Sequence, residues 1–144
     1  MLPQDFRVLT INPGSTTTKI AVFDGDKLRL EKKVEHKAED LKGFGKATEQ
    51  YEYRLNLIRA ALAEAGIGLE SLAAVVGRGG LLKPLPGGTF RVNEQMVDDL
   101  LHRPAADHAS NLGAVIAYHL GQDLGIPAFI VDPVVVDEYE DVAR

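Results

Sequence analysis

Two runs rich in β-branched and apolar residues, Arg7 to Ile11 and Thr16 to Phe23, flank a short Asn12-Pro13-Gly14-Ser15 turn. That pattern predicts a β-hairpin. Asp24-Gly25-Asp26 is a second strong turn signal, so Leu28 to His36 is expected to add a third strand. Lys37 to Thr48 is polar and contains glycine, which predicts a loop or irregular segment. Tyr51, Leu55, Ile58, Leu62 and Ala65 then recur at four- and three-residue spacing, the mark of an amphipathic helix, with Gly66 placed to end it.

Leu72 to Val76 is a short, continuously apolar run, as expected of a strand buried on both faces, and Gly77-Arg78-Gly79-Gly80 ends it. Leu81 to Arg91 is rich in proline and glycine and reads as a connector. Asn93 is placed to cap a short helix through Leu101. A further helix is expected to start at Asp107 or Ser110, with Leu112, Val115, Ile116, His119 and Leu120 on one face. Gly125-Ile126-Pro127 stops it before a second buried strand, Ala128 to Val131. Hairpin, strand, helix, strand, helices and strand in that order define an α/β fold, a mixed β-sheet with flanking helices. The last segment, Val134 to Arg144, carries no closing signal, and the 144 residues are expected to end within a larger fold.

Composition narrows the function classes. A net charge of −5, without a basic cluster and with few aromatics, gives nucleic-acid binding little support. The absence of cysteine excludes disulfides and thiolate metal sites. No run approaches the roughly 20 apolar residues of a membrane helix. Met1 to Asp5 lacks the basic start and apolar core of a signal peptide. These features predict a soluble, cytoplasmic protein.

Candidate chemistry gathers at three strand ends, where α/β sheets bind their ligands. Asn12, Gly14, Ser15, Thr16, Thr17 and Lys19 offer backbone N–H groups, hydroxyls and a positive charge, which suit phosphate oxygens. An ordinary hairpin turn built from the usual turn residues accounts for the same segment. The G-x-x-x-x-G-K-[ST] pattern is absent, and the residues after Ser15 are β-branched rather than helix-forming, so no helix N-terminus is expected to assist. Arg78, set among small residues, suits bidentate recognition of a carboxylate or phosphate, or it is a solvated arginine in a glycine turn. Asp132 fits a ligand of hydrated Mg²⁺, or the acceptor of an Asx turn before Pro133. His108 and Asn111 stand at helical i,i+3 spacing, as an anion site or a capping cluster. Asp137, Glu138, Glu140 and Asp141 read as a solvated helix face.

Together these segments resemble a known family. Ile11-Asn12-Pro13-Gly14-Ser15-Thr16-Thr17-Thr18-Lys19, Val76-Gly77-Arg78-Gly79-Gly80-Leu81-Leu82-Lys83-Pro84, Pro86-Gly87-Gly88-Thr89, His108-Ala109-Ser110-Asn111 and Val131-Asp132-Pro133 are similar to the motifs of butyrate kinases. Those enzymes belong to the acetokinase family, on the ribonuclease H-like, actin-like ATPase fold shared with sugar kinases. The resemblance covers essentially the whole chain and implies reversible phosphoryl transfer between ATP and butyrate, or a branched short-chain fatty acid, giving an acyl phosphate and ADP with Mg²⁺. By motif, Asn12 lies near Mg²⁺ and the transferred phosphoryl, and Ser15 and Thr17 contact phosphate. Arg78 matches the arginine that binds substrate carboxylate or acyl phosphate, and Asp132 matches the active-site aspartate of acetate kinases. Because a fatty carboxylate is already ionised, Asp132 is expected to be a ligand of Mg²⁺-bound water or an orienting group rather than a base. His108 and Asn111 match a His-Asn-Pro segment of acetate kinases, here interrupted by Ala109 and Ser110. Family members are much longer, two-domain homo-oligomers with the site between the domains. Residues 1–144 are thus expected to be the N-terminal domain alone, inactive without its other half. Two alternatives stand beside this: a non-catalytic regulatory or assembly module of the same fold, or another small-molecule kinase on it.

Overall fold

The computed structural model describes residues 6–45, 47–78, 89–102 and 112–131. Three strands open the chain: β1 (Arg7–Pro13), β2 (Thr17–Asp24) and β3 (Lys27–Glu35). They form an antiparallel meander in which Asn12 faces Lys19 and Thr18 faces Val34. Gly25, at φ 62°, makes the tight β2–β3 turn that the Asp-Gly-Asp sequence predicts.

After a four-residue helix, α1 (Ala38–Leu41), and a 3-10 turn at Ala47–Gln50 comes α2 (Tyr51–Glu64). It ends as its sequence predicts. Gly66 takes φ +76°, and the Ile67 N–H bonds back to the Leu62 carbonyl at 2.9 Å, closing a Schellman motif. Then follow β4 (Ala74–Arg78), β5 (Thr89–Arg91), α3 (Glu94–His102), α4 (Leu112–Leu124) and β6 (Ala128–Val131). The Asn93 side chain caps α3, accepting the Met96 N–H at 2.9 Å.

The sheet order is β3-β2-β1-β4-β6-β5. β4 lies parallel to both β1 and β6, whereas β5 joins β6 antiparallel. Leu9, Ile11, Ile20, Val22, Val75 and Ile130 form a core with Leu55, Ile58 and Leu62 of α2 and Leu112, Val115, Ile116 and Leu120 of α4. Both helices therefore cover one face of the sheet, and α4 is buried on nearly every side at its start.

Three expectations need correction. β4 begins two residues later than its apolar run and includes Arg78. The expected connector Leu81 to Arg91 ends in a strand, β5, which owes its extended form to pairing with β6. The supposedly irregular segment after β3 contains α1.

Candidate functional site

β1, β4 and β6 run the same way, so their carboxyl ends open on one edge of the sheet. Pro13 closes β1. Arg78 closes β4, one residue beyond the Gly77 that pairs with Ile11, and is itself paired with Val131 at the end of β6. The described ends of these three strands thus lie at one edge of the sheet. The side chain of Arg78, and all of Asp132, His108 and Asn111, lie outside the described residues, as do Gly79 to Gly88 and the acidic run.

The β1–β2 turn is closed by the Gly14 N–H donating to the Thr17 carbonyl at 2.7 Å. Ser15 and Thr16 project into solvent at its tip. Their backbone N–H groups have no intramolecular partner among the described residues. A Cβ on Gly14 would lie 3.0 Å from the Thr17 hydroxyl, so the turn leaves little room for a larger residue there. Pleat alternation divides the side chains that follow. Asn12 and Lys19 lie together on the face away from α2 and α4. With Thr10, Ala21, Glu31 and Lys33 they line an open groove of about 420 Å³.

Thr18 turns the other way. It is buried, with its hydroxyl 2.7 Å from His36 Nε2 and within 3.2 Å of Arg54 Nη1. The consecutive hydroxyls therefore do not share one volume: Ser15 and Thr16 face solvent, and Thr18 belongs to the core side.

Arg54 was not singled out by motif, and it organises the turn from beneath. It is fully buried. Its Nη1 donates to the carbonyls of Gly14 at 2.7 Å and Thr17 at 2.9 Å, and Nη2 donates to that of Ser15 at 3.1 Å. Gln50 Oε1 accepts from Nε and Nη2 at 3.1 and 2.8 Å. Burial holds the Arg54 pKa down to about 10, so the guanidinium stays charged at neutral pH. One sequence signal was available: a charged residue interrupting the apolar stripe of α2, four residues from Gln50 and from Ile58. Such an arrangement presents free amides and hydroxyls at a turn backed by a buried cation, and it suits an anion with several oxygens.

The architecture is that of the actin-like ATPases. The acetate kinase of Entamoeba histolytica superimposes with a TM-score of 0.53 over 88% of this chain and 36% of that one, at 14% identity. The sequence narrows the likeness further. The chain is 51% identical over 139 residues to the probable butyrate kinase of Listeria monocytogenes and 49% identical to butyrate kinase 1 of Clostridium acetobutylicum, 96% of its length in each case. It is similar to these butyrate kinases across that segment, and it spans 39% of the length of these relatives. No protein-family model matches it.

Proposed function

We propose that this chain forms the phosphoryl-gripping half of a carboxylate kinase that joins butyrate, or a branched short-chain acid, to the γ-phosphoryl of ATP. One observation carries the reading: the carboxyl ends of β1, β4 and β6 open on one edge, where the Asn12–Thr17 turn follows β1 and β4 ends at Arg78, paired with Val131. In it, the free amides of Ser15 and Thr16 and the hydroxyls of Ser15 and Thr17 hold phosphate oxygens, with Gly14 leaving the backbone accessible. Lys19 and Arg78 offset the charge of two approaching anions. His108 and Asn111 complete the substrate side.

A fatty carboxylate is ionised at neutral pH, with a pKa of about 4 to 5 like other carboxylic acids, so its oxygen needs no general base. Asp132 would therefore hold the waters of a bound Mg²⁺ or orient the substrate, rather than accept a proton. Mg²⁺ suits the residues present only as a hydrated ion. Asn12 offers one neutral oxygen beside a lysine, and no group of three or more His, Cys, Asp or Glu converges among the described residues. Mg²⁺ keeps several of its waters and binds largely through substrate phosphates, which that sparse donor set allows. When bound, it would neutralise phosphate charge. The protein's part is in-line positioning and further charge stabilisation. The adenosine pocket belongs to the remaining length of the relatives, and the 144 residues form one domain of the whole enzyme.

A chimera tests this, with the chain replacing the matching 139 residues of the C. acetobutylicum enzyme. The chimera is expected to form butyryl phosphate from butyrate and MgATP, while the chain alone does not. Arg78→Ala in the chimera should lower kcat by about 10²- to 10³-fold, the cost of removing one transition-state charge donor. A folded chimera without turnover would overturn the reading, and clear turnover by the chain alone would refute the half-site.

A further inference from the structure

Arg54 is fully buried, yet none of its hydrogen-bond acceptors is a carboxylate. An arginine has five N–H donors. Here they are spent on the carbonyls of Gly14, Ser15 and Thr17, the Thr18 hydroxyl and the Gln50 amide oxygen. A charge removed from water without a counter-ion is costly. The fold accepts that cost directly beneath the β1–β2 turn.

The geometry has a consequence on the other side of the turn. In a trans peptide the C=O and N–H point in opposite directions. Gly14 and Ser15 aim their carbonyls at the guanidinium, so the N–H groups of Ser15 and Thr16, in the same peptide units, are aimed outward. Those two amides are the ones left without a partner among the described residues. Gln50 matters for what it is not. Its Oε1 accepts from both Nε and Nη2, the position from which a glutamate would neutralise the cation. A clamp serving stability alone would gain from that glutamate, because charge-assisted bonds are the stronger ones. A glutamine keeps the geometry and leaves the positive charge in place.

We infer that Arg54 is the positioning residue of the phosphate turn. It orders the turn through its carbonyls and, left un-neutralised by Gln50, projects a positive field through the turn onto the bound anion. This deepens the function proposed above and rests on the turn being a phosphate site. Arg54 touches neither phosphate nor substrate, because the backbone of the turn lies between.

The test uses the full 144-residue chain, its Gln50→Glu and Arg54→Lys variants, and inorganic tripolyphosphate with Mg²⁺ as the probe. Affinity is read by calorimetry and the Ser15 and Thr16 amides by NMR. The probe is expected to shift both amide resonances in the unmodified chain. Gln50→Glu should melt at the same or a higher temperature yet bind the probe at least tenfold more weakly, a separation that a purely structural role would not produce. Arg54→Lys should displace the Ser15 and Thr16 resonances before any probe is added and also weaken binding. Unchanged affinity in folded Gln50→Glu would overturn the field. Unmoved resonances in Arg54→Lys would overturn the positioning. Should Arg54→Lys fail to fold, Gln50→Glu decides alone. If the unmodified chain takes no probe at this turn, the phosphate reading has failed and this inference with it. That result is distinct from normal binding matched by both variants, which overturns only the role given to Arg54.

Discussion

His36 follows β3 and is buried against the hydroxyl of Thr18, while its Nδ1 has no hydrogen-bond partner among the described residues. Burial lowers its pKa, and the nearby Arg54 charge lowers it further against a smaller opposing effect of Asp40. An unfolded histidine takes up its proton near pH 6.5. As the pH falls below that value the unfolded chain binds more protons than the folded one, so stability is complete above about pH 6.5 and declines below it. His119 acts in the same direction, its pKa also lowered by burial. Asp24 adds a second stage. It accepts two bonds from Arg7, at 2.7 and 3.0 Å, and one from Arg29 at 2.8 Å. The Arg7 bonds chiefly hold its pKa at about 2, below the usual 3.8. Its contribution is thus present above pH 4 and lost as the pH falls through 2. Melting temperature against pH should fall in two steps, with His36→Gln flattening the first and Asp24→Asn the second. A single step unaffected by His36→Gln would contradict the assignment.

At the scale of elements, α4 packs closely against β4. A Cβ on Gly77 would collide with the backbone carbonyl of Gly113, and a backbone atom cannot swing aside as a side chain can. Gly77→Ala should therefore cost about 1–3 kcal/mol or more, as overpacking does. It should appear as a lower urea midpoint with little change in slope. An unchanged midpoint would mean that helix and strand are not in contact there. Legibility in the sequence follows the same physics. The hairpin, α2 with Gly66, α3 with Asn93 and the buried strand before Asp132 each carry their own periodicity or cap, so they were readable locally. β5 was not, because three residues at the end of a proline- and glycine-rich stretch become a strand only when β6 supplies the partner. The turn at Asn12–Thr17 was legible as a place but not as a mechanism. Its support comes from Arg54, forty residues away, and a charged residue in an apolar stripe gives no hint of which backbone it will grip.

At the scale of the whole molecule, the proposed phosphate-facing groups lie at one edge of the sheet, and the groove beside them offers nothing that would read a nucleotide base. Base discrimination needs buried polar groups that are left unpaired by the wrong partner. The described groove beside Asn12 and Lys19 is open, with lysine and glutamate on its walls, and has no aromatic surface for stacking. The proposed half-site should accordingly respond to phosphate charge and ignore the base. MgATP, MgGTP and Mg-tripolyphosphate are expected to bind the 144-residue chain with affinities within about threefold, since a factor of three is only ~0.6 kcal/mol. All three should weaken together as salt rises, because exposed charges are screened. In the chimera with the C. acetobutylicum remainder, ATP should become the preferred ligand. Calorimetric titration of the three ligands decides the matter. A tenfold preference for MgATP by the chain alone would place base recognition within these residues, and the division of the site between two halves of the enzyme would then be wrong.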